Sequence, residues 1–178
     1  MVSIWATILV AVLTSGSALL AGIMTNRATE RRLALQSSLD SKREIRKSKL
    51  LKAEEIYVSL LIFKNMVFKM HMDWVAVCKS ELTVDEMFKK VEKHSEDNDA
   101  IVLNAKLGIY FPSLKEKFNE ARKQLKPANK CYFKLIDTKI PTSEKLSFVN
   151  IILDAGSKFD NDIDNLLLEL SRDVNSEP

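Results

Sequence analysis

Residues 56–78 read IYVSLLIFKNMVFKMHMDWVAVC. Ile56, Leu60, Phe63, Val67, Met70, Trp74 and Val77 alternate by four and three without a break. This is the apolar seam of a helix that packs along its whole length. Val58, Leu61, Ile62, Met66, Phe68, Met72 and Val75 cover most of the remaining circumference. Asn65, Lys69 and Asp73, spaced by four with Lys64 beside them, leave one narrow wet stripe. A helix apolar on most sides is expected at the centre of a bundle. The rival reading is a membrane span, but Lys64, Lys69 and Asp73 would each oppose insertion by roughly 2.5–3.5 kcal/mol at mid-bilayer.

Toward the N-terminus the character changes twice. From Arg27 to Glu54 nine Lys and Arg face four acids, and the stretch lacks Gly and Pro. Ala, Leu, Glu, Lys, Arg and Gln dominate it, so a basic helical neck is expected. Its apolar positions, among them Leu35, Leu39 and Ile45, are too sparse for one heptad seam. Before it lies IWATILVAVLTSGSALLAGIM, residues 4–24, without a charge. A helix of that length at about 1.5 Å per residue would span the roughly 30 Å hydrocarbon layer. Arg27, Arg31 and Arg32 follow the run and no basic residue precedes it. By the positive-inside rule the expected placement is a single-pass inner (cell) membrane protein, N-terminus outside and C-terminal domain cytoplasmic. A cleaved signal peptide is the competing reading, with Gly16-Ser17-Ala18 resembling a cleavage site, but a basic n-region is missing.

Two features of this part are candidate binding sites. Ala11, Ser15, Ala18 and Gly22 put small residues on one helical face, where a second copy could approach closely and self-associate. Arg27, Arg31, Arg32, Arg43, Arg46 and Lys47 form a basic neck suited to anionic lipid head groups, at roughly 1 kcal/mol each near the bilayer. Nucleic acid is the alternative partner of a basic stretch, but no aromatic residue in the neck could stack a base, so none is expected.

Beyond residue 78 the chain reads as a series of shorter helices. Thr83-Val84-Asp85-Glu86 is a capping box for a helix carrying Met87, Phe88 and Val91. A helix with Leu103, Leu107, Tyr110 and Phe111 ends at Pro112, and Ser113-Leu114-Lys115-Glu116 offers a second capping box. Leu114, Phe118, Ala121 and Leu125 mark the next helix, which Pro127 kinks or ends. Residues 128–140 are ambiguous, because Cys131, Phe133 and Leu135 alternate as well as they spiral. A long last helix carries Leu146, Val149, Ile152, Leu153, Gly156, Phe159, Ile163, Leu166, Leu167 and Leu170, with Gly156 on its apolar face. There a missing side chain permits close helix contact at a propensity cost of about 1 kcal/mol.

The expected fold is therefore all-α: an N-terminal transmembrane helix, a basic helical stalk and an antiparallel helical bundle. The domains are an anchor at 1–26, a juxtamembrane neck at 27–54, a cytoplasmic bundle at 55–174 and a disordered tail at 175–178. Composition agrees: of 178 residues 46% are hydrophobic and 29% charged, so the chain is neither disordered nor of low complexity. Four Gly and four Pro argue against turn-rich β designs.

Chemistry is sparse. Asp160, Asp162 and Asp164 spell the start of a calcium loop, but Asn165 stands where its glycine belongs and Ser171 where its last glutamate belongs. Helical spacing runs through them, which makes them a solvated acidic face. His94 with Glu96, Asp97 and Asp99 reads as a polar turn. Cys78 and Cys131 form no C-x-x-C pair and are expected to be buried thiols. His71, in the apolar helix, reads as a core or boundary histidine. No nucleophile elbow, phosphate loop, zinc motif or dinucleotide fingerprint is present, so no enzyme activity, metal or cofactor is expected.

The run IWATILVAVLTSGSALLAGIMTNRATERRLALQ, together with Leu107-Gly108-Ile109-Tyr110-Phe111-Pro112 and a capped helix after it, resembles uncharacterised bacterial single-pass membrane proteins with a cytoplasmic helical domain. The resemblance is one of architecture and implies no substrate or catalytic residue. The expected function is a non-enzymatic, membrane-anchored interaction or scaffold protein that binds a protein partner or itself. The alternative is a membrane-perturbing effector (toxin, holin-like or phage-defence protein) acting through an oligomerised anchor.

Overall fold

The computed structural model describes residues 4–95, 100–136 and 140–175. Its regular elements are all helical: α1 (Ile4–Cys78), α2 (Val84–Ser95), α3 (Ala100–Tyr110), α4 (Pro112–Lys123), α5 (Lys126–Leu135) and α6 (Thr142–Asn175). Two compact units divide the chain, Met1–Ser48 and Lys49–Pro178.

The first unit is the leading part of α1. Side chains 19–48 are all exposed, Leu19, Leu20, Ile23, Leu33 and Leu35 included. Hydroxyls in it bond the preceding turn, Thr25 Oγ1 donating to the Ala21 carbonyl at 2.8 Å and Thr29 Oγ1 to that of Thr25 at 2.9 Å. The membrane expectation is corrected here. Among the described residues no helix is long and apolar enough to cross a membrane. The uncharged stretch lies at the start of α1. Thr14, Ser15, Gly16 and Ser17 interrupt it, and Arg27, Glu30, Arg31 and Arg32 follow on the same helix. The single-pass inner-membrane placement, with its outside N-terminus and cytoplasmic remainder, falls with the span on which it stood.

In the second unit, residues 49–78 of α1 pack against the later helices through the seam read from sequence. Ile56, Leu60, Phe63 and Val67 are buried with Leu103 and Leu107 of α3, Leu114, Phe118 and Ala121 of α4, and Phe159, Ile163 and Leu166 of α6. A second cluster joins Trp74, Val77 and Cys78 to Met87 of α2, Ala128, Cys131 and Leu135 of α5, and Phe148, Ile152 and Ala155 of α6. Residues 50–58 share a pocket with 170–175, and 64–72 share another with 152–160. α6 therefore runs antiparallel to this part of α1.

The helix ends show how local chemistry sets the turns. α1 stops in a Schellman arrangement: Glu81 N–H donates to the Ala76 carbonyl at 2.9 Å and Ser80 N–H to that of Val77 at 3.1 Å. The motif needs a left-handed residue, and Ser80 supplies it at φ 63°. A side chain there is strained where glycine is not. Ser80→Gly is expected to stabilise the fold by about 0.5–1 kcal/mol, read as a higher urea midpoint at unchanged m-value; a lower midpoint would contradict it. The capping box at α2 forms as read, with Thr83 N–H donating to Glu86 Oε2 at 3.0 Å and Glu86 N–H to Thr83 Oγ1 at 3.2 Å. The second one does not. Pro112 opens α4 at its first position, where its missing N–H costs nothing, buried Phe111 takes the cap position, and no side chain caps it. Pro127 stands in the first turn of α5, so the ambiguous stretch 128–140 is helical from Ala128 to Leu135, and its residues 137–139 lie outside those described.

Candidate functional site

The junction of the two core clusters holds a buried imidazole. His71 faces inward from α1, between Val67 of the first cluster and Trp74 of the second. It is 4% exposed, and its Nδ1 has no hydrogen-bond partner. A Cβ at Gly156 of α6 would lie 2.7 Å from that atom, so the ring fits because position 156 has no side chain. Burial pushes the imidazole down to about 4. It is a neutral ring at physiological pH. Trp74 lies beside it, ring centroids 5.3 Å apart, and stacks at 4.5 Å on Tyr132 of α5.

His71 borders a pocket of about 300 Å³ between α1 and α6, with apolar walls from Val67, Phe68, Met72 and Leu153 and with Ser157 and Asp160 on its α6 side. A second pocket of about 260 Å³ lies farther along the same helix pair, lined by Tyr57, Val58, Leu170 and Val174. Lys64 lines the first of these, its Nζ 2.6 Å from Asp164 and 3.2 Å from Asp160. Partial burial works against the charged amine. The hydrogen bonds to Asp164 and Asp160 outweigh it and hold the Lys64 pKa above the ordinary lysine value. The acidic face of α6 is thus partly occupied by an intramolecular cation. Among the described residues no three His, Cys, Asp or Glu side chains are grouped to hold a metal ion.

The outward face of α1 beside these pockets is apolar and uncovered. Val58, Leu61, Ile62 and Phe68 are exposed there, together with Asn65 and Lys69. The position expected at the bundle's centre is therefore only half enclosed. The wet stripe marked the solvent side correctly at Asn65 and Lys69, whereas its third member, Asp73, is largely covered and lies 3.3 Å from Lys90 of α2. The apolar residues flanking it were the missed signal, because periodicity cannot tell a second buried side from an open one.

Cys78 and Cys131 are free and buried. Burial first, and Cys131 nearby, push the Cys78 thiol up to about 11; burial raises Cys131 also. Neither is a ready nucleophile. The small-residue seam lies on α1 of the first unit, where Ser15 and Gly22 are exposed and a Cβ at Gly22 would meet open space. The side chains of Ala11 and Ala18 lie outside the described residues, as does the cluster around His94, Glu96, Asp97 and Asp99. Arg27, Arg31, Arg32, Arg43, Arg46 and Lys47 are all exposed on the same helix. Arg43 lies 3.7 Å from Asp40, one turn away. No protein-family model, curated protein or solved structure matches this chain.

Proposed function

We propose that this chain is a non-enzymatic helical interaction protein, and that its docking surface is the outward face of residues 51–72 of α1. One observation carries the reading: the helix that supplies the core seam is also apolar on the side that, among the described residues, no other helix covers. Leu51, Val58, Leu61, Ile62 and Phe68 stand 50%, 54%, 42%, 43% and 57% exposed, while Ile56 and Leu60 on the opposite side are fully buried. Side chains of this kind gain about 1.5–3 kcal/mol each on full burial, and a contiguous exposed group of them marks an interaction site. A rigid apolar helix face recognises another helix, laid along it with anchors at three- and four-residue spacing.

The test is a photo-crosslinking amino acid placed at Ile62 of the full chain in cells, with Lys158 on the exposed side of α6 as control. Protein adducts at position 62 and few at 158 are expected. If position 62 gives no adducts, or no more than 158, the docking face is wrong.

A further inference from the structure

We infer that the occupant of this face is a second copy of the chain, laid antiparallel about a two-fold axis between Leu61 and Ile62. The inference rests on the docking face proposed above and adds its partner and register. Along the outward face the exposed or half-exposed positions are 51, 54, 55, 58, 61, 62, 65, 68, 69 and 72. Their spacing reads three, one, three, three, one, three, three, one, three, the same in both directions. A two-fold axis at the midpoint therefore maps the whole stripe onto itself, as an interface between identical surfaces requires.

Phe68 faces Glu55, whose carboxylate is held by Lys52 and Lys106 of its own chain, and the other pairs are chemically matched. Leu61 meets Ile62 of the second copy at the centre, and Leu51 meets Met72 at each end. Between them Glu54 meets Lys69, twice by symmetry, with opposite charges. Neither Glu54 nor Lys69 forms an ion pair within its own chain among the described residues. Val58 meets Asn65, whose amide stays at the wet edge. A parallel pairing would instead set Glu54 against Glu54 and Lys69 against Lys69, and like charges so placed repel. The stripe covers about 31 Å of helix, a small interface, so the dimer is expected to be reversible.

The full-length protein is followed by sedimentation equilibrium from about 1 to 100 µM, the range in which an interface of this size assembles. A monomer of 20.2 kDa passing to a dimer is expected; a monomer throughout overturns the inference. Glu54→Lys should weaken the dimer about tenfold or more, and Glu54→Lys with Lys69→Glu should restore it. Failure of the swap overturns the register. For direction, Leu51→Cys and Met72→Cys chains are treated with a short bismaleimide, separately and mixed. Buried Cys78 and Cys131 serve as an inert background. Crosslinking only in the mixture is expected, and crosslinking of Leu51→Cys alone overturns the antiparallel arrangement. A monomeric chain whose Ile62 probe still captures other proteins removes the homodimer and leaves the docking face; loss of all Ile62 adducts removes both.

Discussion

Phe118→Ala is expected to destabilise the bundle by about 3–5 kcal/mol, which for a unit of this size lowers Tm by roughly 10–20 °C. Three aromatic rings from three helices meet at this point. Phe63 of α1 lies edge-on to Phe118 of α4 at 5.5 Å and to Phe159 of α6 at 5.8 Å. Phe118 is fully buried, so truncation removes the ring's transfer energy and leaves a cavity whose walls are held by three separate helices. The edge-on contact with Phe63 adds about 0.5–1.5 kcal/mol beyond area. Phe133→Ala, at a ring 70% exposed on α5, is the matched control and should shift Tm little. Thermal melts followed by circular dichroism decide the matter. Equal shifts for the two variants would place Phe118 outside the core.

Acidification is expected to weaken the fold through His71. Burial holds its folded pKa at about 4, below the ordinary value of 6.5. Above pH 6.5 the ring is neutral in both states and its contribution is fully present. Between 6.5 and 4 the unfolded chain takes up a proton that the folded chain refuses, so stability falls by up to about 1.4 kcal/mol per pH unit. The loss reaches about 3 kcal/mol by pH 4, below which both states are protonated and the effect levels off. Lys64 and Asp160 line the same pocket. His71→Leu removes the titration while leaving those groups and every surface carboxylate in place. The Tm of the natural protein should therefore fall more steeply than that of the variant across this interval. Parallel curves would show that the imidazole is protonated in the folded state as readily as outside it.

Much of the helical order was legible in the residues alone. The four-three seam from Ile56 to Val77 is local information, and it packs as read. The Thr83–Glu86 capping box is likewise a matter of four adjacent residues. Proline was less informative, because Pro112 and Pro127 can each close one helix or open the next, and both open one. The membrane reading failed for a different reason. It judged residues 4–24 by their length, their lack of charge and the arginines after them, whereas among the described residues no helix meets the length and apolarity of a span. The outward face of α1 was hidden because a sequence records apolar sides without saying which acquire neighbours. The contact between His71 and Gly156 joins residues 85 positions apart, and only the glycine's place on an apolar face hinted at it.

That contact also acts as an index mark between two long cylinders. Slid by a turn in either direction, α6 would offer the imidazole Ile152 or Asp160 in place of the notch at Gly156. Helices joined only by interdigitating aliphatic side chains can exchange one set of grooves for the next at modest cost. A ring seated where a single Cα lacks a branch has one berth, and that fixes how far along α1 its long neighbour comes to rest.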